Sequence, residues 1–214
     1  MIKGVLFDMD GVLVDSEAFM CKAAIMMFDE LGIKVLPEDF QPFVGMGENK
    51  YLGGVAEHYG AKINIADAKA RAYEIFGIIV QGNLSPLPGA HEFIAECRKK
   101  GFKLALATSA DPVKMNVNLK EIGLSAKAFD SIITGQDVVN KKPFPDIYIK
   151  AAKSIGLEPQ ECLVVEDAVS GIKAGKSAGC KCLAVTNSFE ASELKEADWV
   201  CVSLLDVPKN ALNW

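Results

Sequence analysis

Only two histidines, His58 and His91, occur among the 214 residues. None of the six cysteines forms a C-x-x-C pair, so a thiolate–imidazole zinc site lacks ligands at the usual spacing. No run of about eighteen apolar residues is present, which excludes a membrane-spanning helix. Cations are in the minority: 23 Lys and Arg against 28 Asp and Glu leave a net charge of −5. The clustered positive charge that a phosphate backbone demands is therefore missing, and no nucleic-acid partner is expected. There is no internal repeat and no low-complexity tract. Acidic residues begin at Asp8, too early for a secretory leader. A cytoplasmic protein is expected, with Cys21, Cys97, Cys162, Cys180, Cys182 and Cys201 as reduced, mostly buried thiols.

What is present is apolar content: hydrophobic residues make up 50% and charged residues 24%. That is enough for a substantial core and excludes intrinsic disorder. Short β-branched and apolar runs alternate with amphipathic stretches. Strands are expected at Lys3–Phe7, Lys103–Ala107, Ser131–Thr134, Cys162–Val165, Lys181–Val185 and Trp199–Val202. Helices are expected near 90–100, 112–122, 146–155, 168–178 and 190–197. Gly101, Gly123, Gly156 and Gly179 follow four of these helical stretches, where helix C-caps belong. The alternation predicts an α/β fold with a doubly wound, mostly parallel sheet.

Residues 16–82 break this rhythm. Met20, Ala24, Met27 and Leu31 form a one-sided helical stripe, and Ile65–Val80 reads as another helix despite Gly77. The expected organisation is a core of residues 1–14 plus 86–214, with residues 15–85 as an inserted α-helical cap. Val14–Asp15 and the proline-stiffened Leu84–Gly89 are the candidate hinges.

Chemistry concentrates at strand ends. Phe7-Asp8-Met9-Asp10-Gly11-Val-Leu-Val-Asp15-Ser16 puts two carboxylates at i and i+2 just past the first strand, where open α/β sheets bind ligands. Leu13 and Phe19 occupy the positions where an EF-hand loop needs glycine and glutamate, so a calcium loop is excluded. Val164-Val165-Glu166-Asp167 ends a second buried strand in acids. Carboxylates packed this way repel one another, and a hard divalent cation such as Mg²⁺ relieves the repulsion. Thr108 and Ser109 bring hydroxyls to another strand end. Lys142 lies in a proline-rich loop, with Asp146 expected as the N-cap of the next helix. Gly45-x-Gly47 follows no strand and is not a dinucleotide fingerprint; it is expected to be a cap loop that meets substrate. His58 and His91 are expected to be structural or at the surface.

Asp8-x-Asp10, Thr108, Lys142 before a proline and Glu166-Asp167, in this order, resemble the four motifs of the haloacid dehalogenase superfamily of aspartyl phosphotransferases. The resemblance covers essentially the whole chain. The helical insertion is similar to the small cap of its β-phosphoglucomutase and phosphoglycolate phosphatase branch. By that resemblance Asp8 is the nucleophile and Asp10 the general acid and base. Mg²⁺ is held by Asp8, Asp10 and Asp167, with Glu166 as a further ligand or just behind them. Thr108, Ser109 and Lys142 bind the phosphoryl group of a small phosphorylated metabolite. The resemblance implies a phosphatase, with a sugar-phosphate mutase as the alternative and a non-catalytic binding module as a more remote one. Asp10 speaks against carbon–halogen cleavage, which needs no leaving-group acid. Met20 stands where the mutases carry a cap histidine, and Phe43–Asn49 lacks their arginine. Ala110 and Asp111 replace a serine and a lysine. Lys50 and Arg71 remain as other sources of positive charge. A monomer is expected.

Overall fold

The computed structural model describes residues 1–44 and 47–211. All six expected strands form: β1 (Gly4–Phe7), β2 (Lys103–Ala107), β3 (Ser131–Ile133), β4 (Cys162–Glu166), β5 (Lys181–Val185) and β6 (Trp199–Cys201). They make one sheet in the order β3-β2-β1-β4-β5-β6, and every pairing is parallel. Parallel sheets bury both faces, which explains the near-continuous apolar runs. Val5, Leu6 and Phe7 of β1 are fully buried, as are Leu163, Val164 and Val165 of β4. One sheet face carries Phe7, Val165 and Leu183; the other carries Leu6, Val164 and Ala184 against the helices.

Strands β1 and β4 lie level: Phe7 pairs with Val165 on one side and with Leu106 on the other. The chain leaves β1 toward β2 and β3 in one direction and returns past β1 to β4 in the other. The sheet therefore reverses its winding beside β1, at the position where α/β sheets open a crevice. Helices α4 (Ala90–Lys99), α5 (Pro112–Glu121), α6 (Asp146–Ser154) and α7 (Val169–Ala178) connect the core strands.

Between β1 and α4 lie three helices, α1 (Glu17–Glu30), α2 (Glu48–His58) and α3 (Ile65–Ile79). Helix α3 starts at Asn64, whose side chain accepts from the Ala66 and Asp67 N–H groups, and it runs through Gly77. Helix α1 buries Met20, Ala23, Ala24, Met27 and Phe28. Phe28 packs on Phe40, which in turn stacks on Tyr51 of α2 at 4.8 Å between centroids. Where the helical segment meets the sheet, its two ends are tied together. Val14 and Pro86 form an isolated antiparallel bridge, and the Leu87 N–H donates to Leu13 O at 2.9 Å.

Three expectations need correction. Leu31 is not on the buried stripe: α1 ends at Glu30, and Leu31 caps it while 52% exposed. Residues 190–197 form turns rather than a helix, because Leu194 is the one fully buried anchor there and a single anchor gives no apolar face. Asp146 is not the N-cap. The chain enters α6 at Pro145, so Asp146 sits inside the first turn, where its carboxylate accepts from Asn140 Nδ2. The doubly wound parallel sheet forms as expected. Gly101, Gly123, Gly156 and Gly179 do have positive φ at helix ends, and His91 bonds to Ile122 O while His58 is exposed.

Phe28→Ala should destabilise the protein by about 3–5 kcal/mol through the cavity it leaves. Urea denaturation followed by circular dichroism measures this; a loss below about 1 kcal/mol would mean that the ring is not core.

Candidate active site

Asp8 leaves the end of β1, and its N–H donates to Val165 O at 3.0 Å. The carboxylate is therefore anchored to the neighbouring strand, level with Glu166 and Asp167. Glu166, the last residue of β4, is 1% exposed, and its acid is fully engaged. Oε1 accepts from Lys142 Nζ at 2.6 Å and from the Tyr148 hydroxyl at 2.8 Å; Oε2 accepts from the N–H groups of Asp167 and Ala168. Lys142 also donates to Asp8 Oδ1 at 2.6 Å, and its ammonium lies 5.1 Å from the centre of the Tyr148 ring. Tyr148 is fully buried on α6. The Lys142–Pro143 peptide bond is cis.

Two glycines make this convergence possible. Gly11 has φ +77°, and a Cβ there would lie 1.9 Å from Asp167 Oδ2. A Cβ on Gly171, in the first turn of α7, would lie 1.7 Å from Glu166 Oε1. Any side chain at either position would displace an acid.

The electrostatics follow from burial and one shared cation. Burial pushes the Asp8 carboxyl up to about 7; Lys142 opposes this and Glu166 adds to it. Asp167 is raised well above the usual carboxylate range by burial, then by Glu166 and Asp8. Burial works against the Glu166 carboxylate too, but Lys142 and its other donors hold its pKa below the usual value. Lys142 is buried, which disfavours its charge, yet Asp8 and Glu166 keep it firmly protonated. One ammonium thus neutralises Glu166 and leaves Asp8 and Asp167 with surplus charge. One carboxylate oxygen from each of Asp8, Glu166 and Asp167 lies within 4.8 Å of the others. An all-oxygen, acid-rich set of this size fits a hard divalent cation.

Asp10 turns to a different neighbourhood. Lys114 Nζ donates to Asp10 Oδ2 at 3.0 Å, Asn118 Nδ2 to Oδ1 at 3.3 Å, and the Ser16 hydroxyl also donates to Oδ1. Lys114 and Asn118 sit one turn apart on the buried face of α5. Sequence reasoning missed both; the available signal was a pair of polar residues at i and i+4 among the buried Met115 and Leu119. It also missed Tyr148 and Glu17, and it quoted Ser16 in the first motif without giving it a role.

Asp8, Asp10, Thr108, Ser109, Lys142, Glu166 and Asp167 all line one cavity of about 150 Å³. Thr108 is buried at the end of β2, and its Oγ1 accepts from the Ala110 N–H. The outer wall comes from the helical segment: Glu17, Met20, Phe43, Gly47, Glu48 and Tyr51. Gly47 does border the cavity; Gly45 lies outside the described residues. Lys50 is exposed and off the wall, and Arg71 pairs with Glu30 and Glu74. Asp111, which stands in place of a mutase lysine, is bonded to Lys69 of α3 at 2.7 Å.

The model of the haloacid dehalogenase-like hydrolase family matches residues 2–179. The protein Suppressor of quenching 1, chloroplastic, of Arabidopsis thaliana is 43% identical over 92% of this chain, which spans 19% of that relative's length. Hexitol phosphatase A of Escherichia coli is 34% identical, with 94% of this chain and 91% of that protein covered. Among solved structures, CbbY from Rhodobacter sphaeroides in complex with phosphate superposes with a TM-score of 0.90 at 27% identity, covering all of both chains.

Raised acids must shed protons before they can bind a cation. Without metal, the protonated forms of Asp8 and Asp167 stabilise the fold at low pH, and this contribution is lost as pH rises through the Asp8 value of about 7. Added Mg²⁺ should therefore raise the melting temperature more near about pH 8 than near about pH 5.5. Differential scanning calorimetry at both pH values checks this, and an equal shift would detach the cation from these acids.

Proposed function

The chain belongs to the haloacid dehalogenase-like hydrolase family and is a phosphoric monoester hydrolase, and from that premise we propose a Mg²⁺-dependent phosphatase that cleaves a small phosphorylated sugar or polyol through an aspartyl-phosphate. The observation that carries this reading is the separation of two carboxylates placed two residues apart. Asp8 is buried against Lys142 at the strand end, while Asp10 is tethered by Lys114, Asn118 and Ser16, and both face one cavity. Environments that differ this much suit two different roles.

Asp8 attacks phosphorus, forming an O–P bond as the bond to the leaving oxygen breaks. Asp10 gives its proton to that oxygen, then takes one from the water that hydrolyses the acyl phosphate. Lys142 and the Thr108 and Ser109 hydroxyls stabilise the phosphoryl oxygens. The Asp8 carboxylate, the Asp10 backbone carbonyl and Asp167 would hold Mg²⁺, with Glu166 adjoining them; bound there, the ion supplies positive charge against the phosphoryl group. Water rather than a sugar hydroxyl is the acceptor. Supporting this, Met20 stands in place of the mutase histidine, the Phe43–Asn49 stretch offers the acidic Glu48 and no arginine, and Asp111, in place of their lysine, already occupies Lys69.

The reading also divides the chain into a core of residues 1–14 plus 86–214 and a moving cap of residues 15–85. The Lys69–Asp111 pair joins the cap to the core, with side chains 22% and 11% exposed. It acts as a latch that holds the cap closed and bulk water out.

Asp8→Asn should lower phosphate release by at least about a thousandfold while leaving the melting temperature within a few degrees, because the amide is isosteric but a poor nucleophile. Retention of more than a few per cent of wild-type turnover in a colorimetric phosphate assay would end the covalent mechanism.

Lys69→Met should open the latch at a cost of about 1–3 kcal/mol, since Asp111 loses its partner while mostly buried. The expected readouts are a raised KM and a larger radius of gyration by small-angle scattering. Unchanged values for both would remove the latch.

A further inference from the structure

The proposed chemistry occupies the core side of the cavity and leaves the helical wall opposite it without a role. Glu17 of α1 and Glu48 of α2 stand on that wall beside Met20, Phe43 and Tyr51. Both acids are half-buried, and burial raises both carboxyls. Lys114 and Lys142 are the cations among the described residues that line the cavity. Neither is free for the leaving group: Lys142 is held between Asp8 and Glu166, where it serves the phosphoryl group, and Lys114 binds Asp10 while lying 4% exposed. Glu17 and Glu48 therefore add two carboxyl groups to a wall whose nearest ammonium, Lys114, is already paired with Asp10. The carboxylate oxygens that cluster closely enough to share a cation are those of Asp8, Glu166 and Asp167, and neither Glu17 nor Glu48 belongs to that group.

Resting on the phosphatase reading above, we propose that Glu17 and Glu48 are specificity-determining residues, which accept hydrogen bonds from the hydroxyls of a neutral polyol leaving group and reject a leaving group that carries a second anion. A hydroxyl donating to a buried carboxylate makes a charge-assisted bond. An analogue without that hydroxyl leaves the acceptor desolvated and unpaired, the condition under which polar sites discriminate most strongly. A second phosphate or a carboxylate meets like charge with both lysines committed. Met20, Phe43 and Tyr51 supply apolar surface for the carbon chain between the hydroxyls.

The test needs three monophosphates of one chain length: glucitol 6-phosphate, 6-phosphogluconate, which carries a carboxylate in place of the terminal hydroxymethyl group, and hexyl phosphate, which has no hydroxyls. Acetyl phosphate reports the core chemistry independently of the wall. Wild-type kcat/KM should favour glucitol 6-phosphate over each of the other two six-carbon esters by about 10²-fold. Glu48→Gln and Glu17→Gln, made separately, should each narrow the preference over 6-phosphogluconate by about tenfold, with acetyl phosphate turnover of the same variant as the reference. Two variants and a wild-type panel keep the test decisive if one substitution fails to fold. Turnover of acetyl phosphate with equal use of the three six-carbon esters would overturn this inference alone. Ratios unmoved by either glutamine would do the same. Absence of acetyl phosphate turnover would overturn the phosphatase reading, and this inference with it.

Discussion

Three buried carboxylates meet at the ends of two adjacent strands, and one ammonium offsets them. That imbalance shapes everything around it. Glu166 is held ionised by Lys142, Tyr148 and two backbone N–H groups, and burial, with the Glu166 charge adding to it, makes Asp8 and Asp167 reluctant to ionise. A fold that merely needed to be stable would replace such a group with apolar side chains, because burying charge costs more than the pair returns. The arrangement is sensible when a cation, and then a phosphoryl group with it, completes the charge.

The sheet makes the crowding unavoidable. Because Phe7 lies level with Val165, the residues that follow each strand emerge at the same height beside the reversal in winding. Gly11 and Gly171 then remove the Cβ atoms that would otherwise push Asp167 and Glu166 out of reach. The acids are thus gathered by backbone register and by missing side chains, and the attraction between groups only finishes the job. The same logic holds on the second side of the cavity: Asp10 is fixed by three donors from two segments, so its position depends on how α5 packs.

The sheet was legible in the sequence because a doubly buried parallel strand leaves a bare apolar run bounded by turns, and all six runs did so. The clustered acids Asp8, Glu166 and Asp167 were legible because they stand at the ends of such runs. Lys114 and Asn118 were not. They lie mid-helix, and nothing in their local pattern says that the buried face of α5 borders a polar cavity. The roles of Glu17 and Glu48 depend on how three helices dock over the sheet, which periodicity does not encode. Leu31 fell outside the core for a local reason: the helix ended one residue before the stripe did. The pairing of Asp111 with Lys69 was not legible, because the two lie 42 residues apart in sequence.

The bridge between Val14 and Pro86, with the Leu87–Leu13 hydrogen bond beside it, brings the two ends of the helical segment side by side. A segment whose ends already touch can be exchanged for one of another length or shape without shifting any strand of the sheet. The reacting end of the molecule and the end that meets the rest of the substrate are therefore free to diverge separately. A lineage built on this plan can acquire new substrates by altering the helical segment between these two crossings while its chemistry stays put.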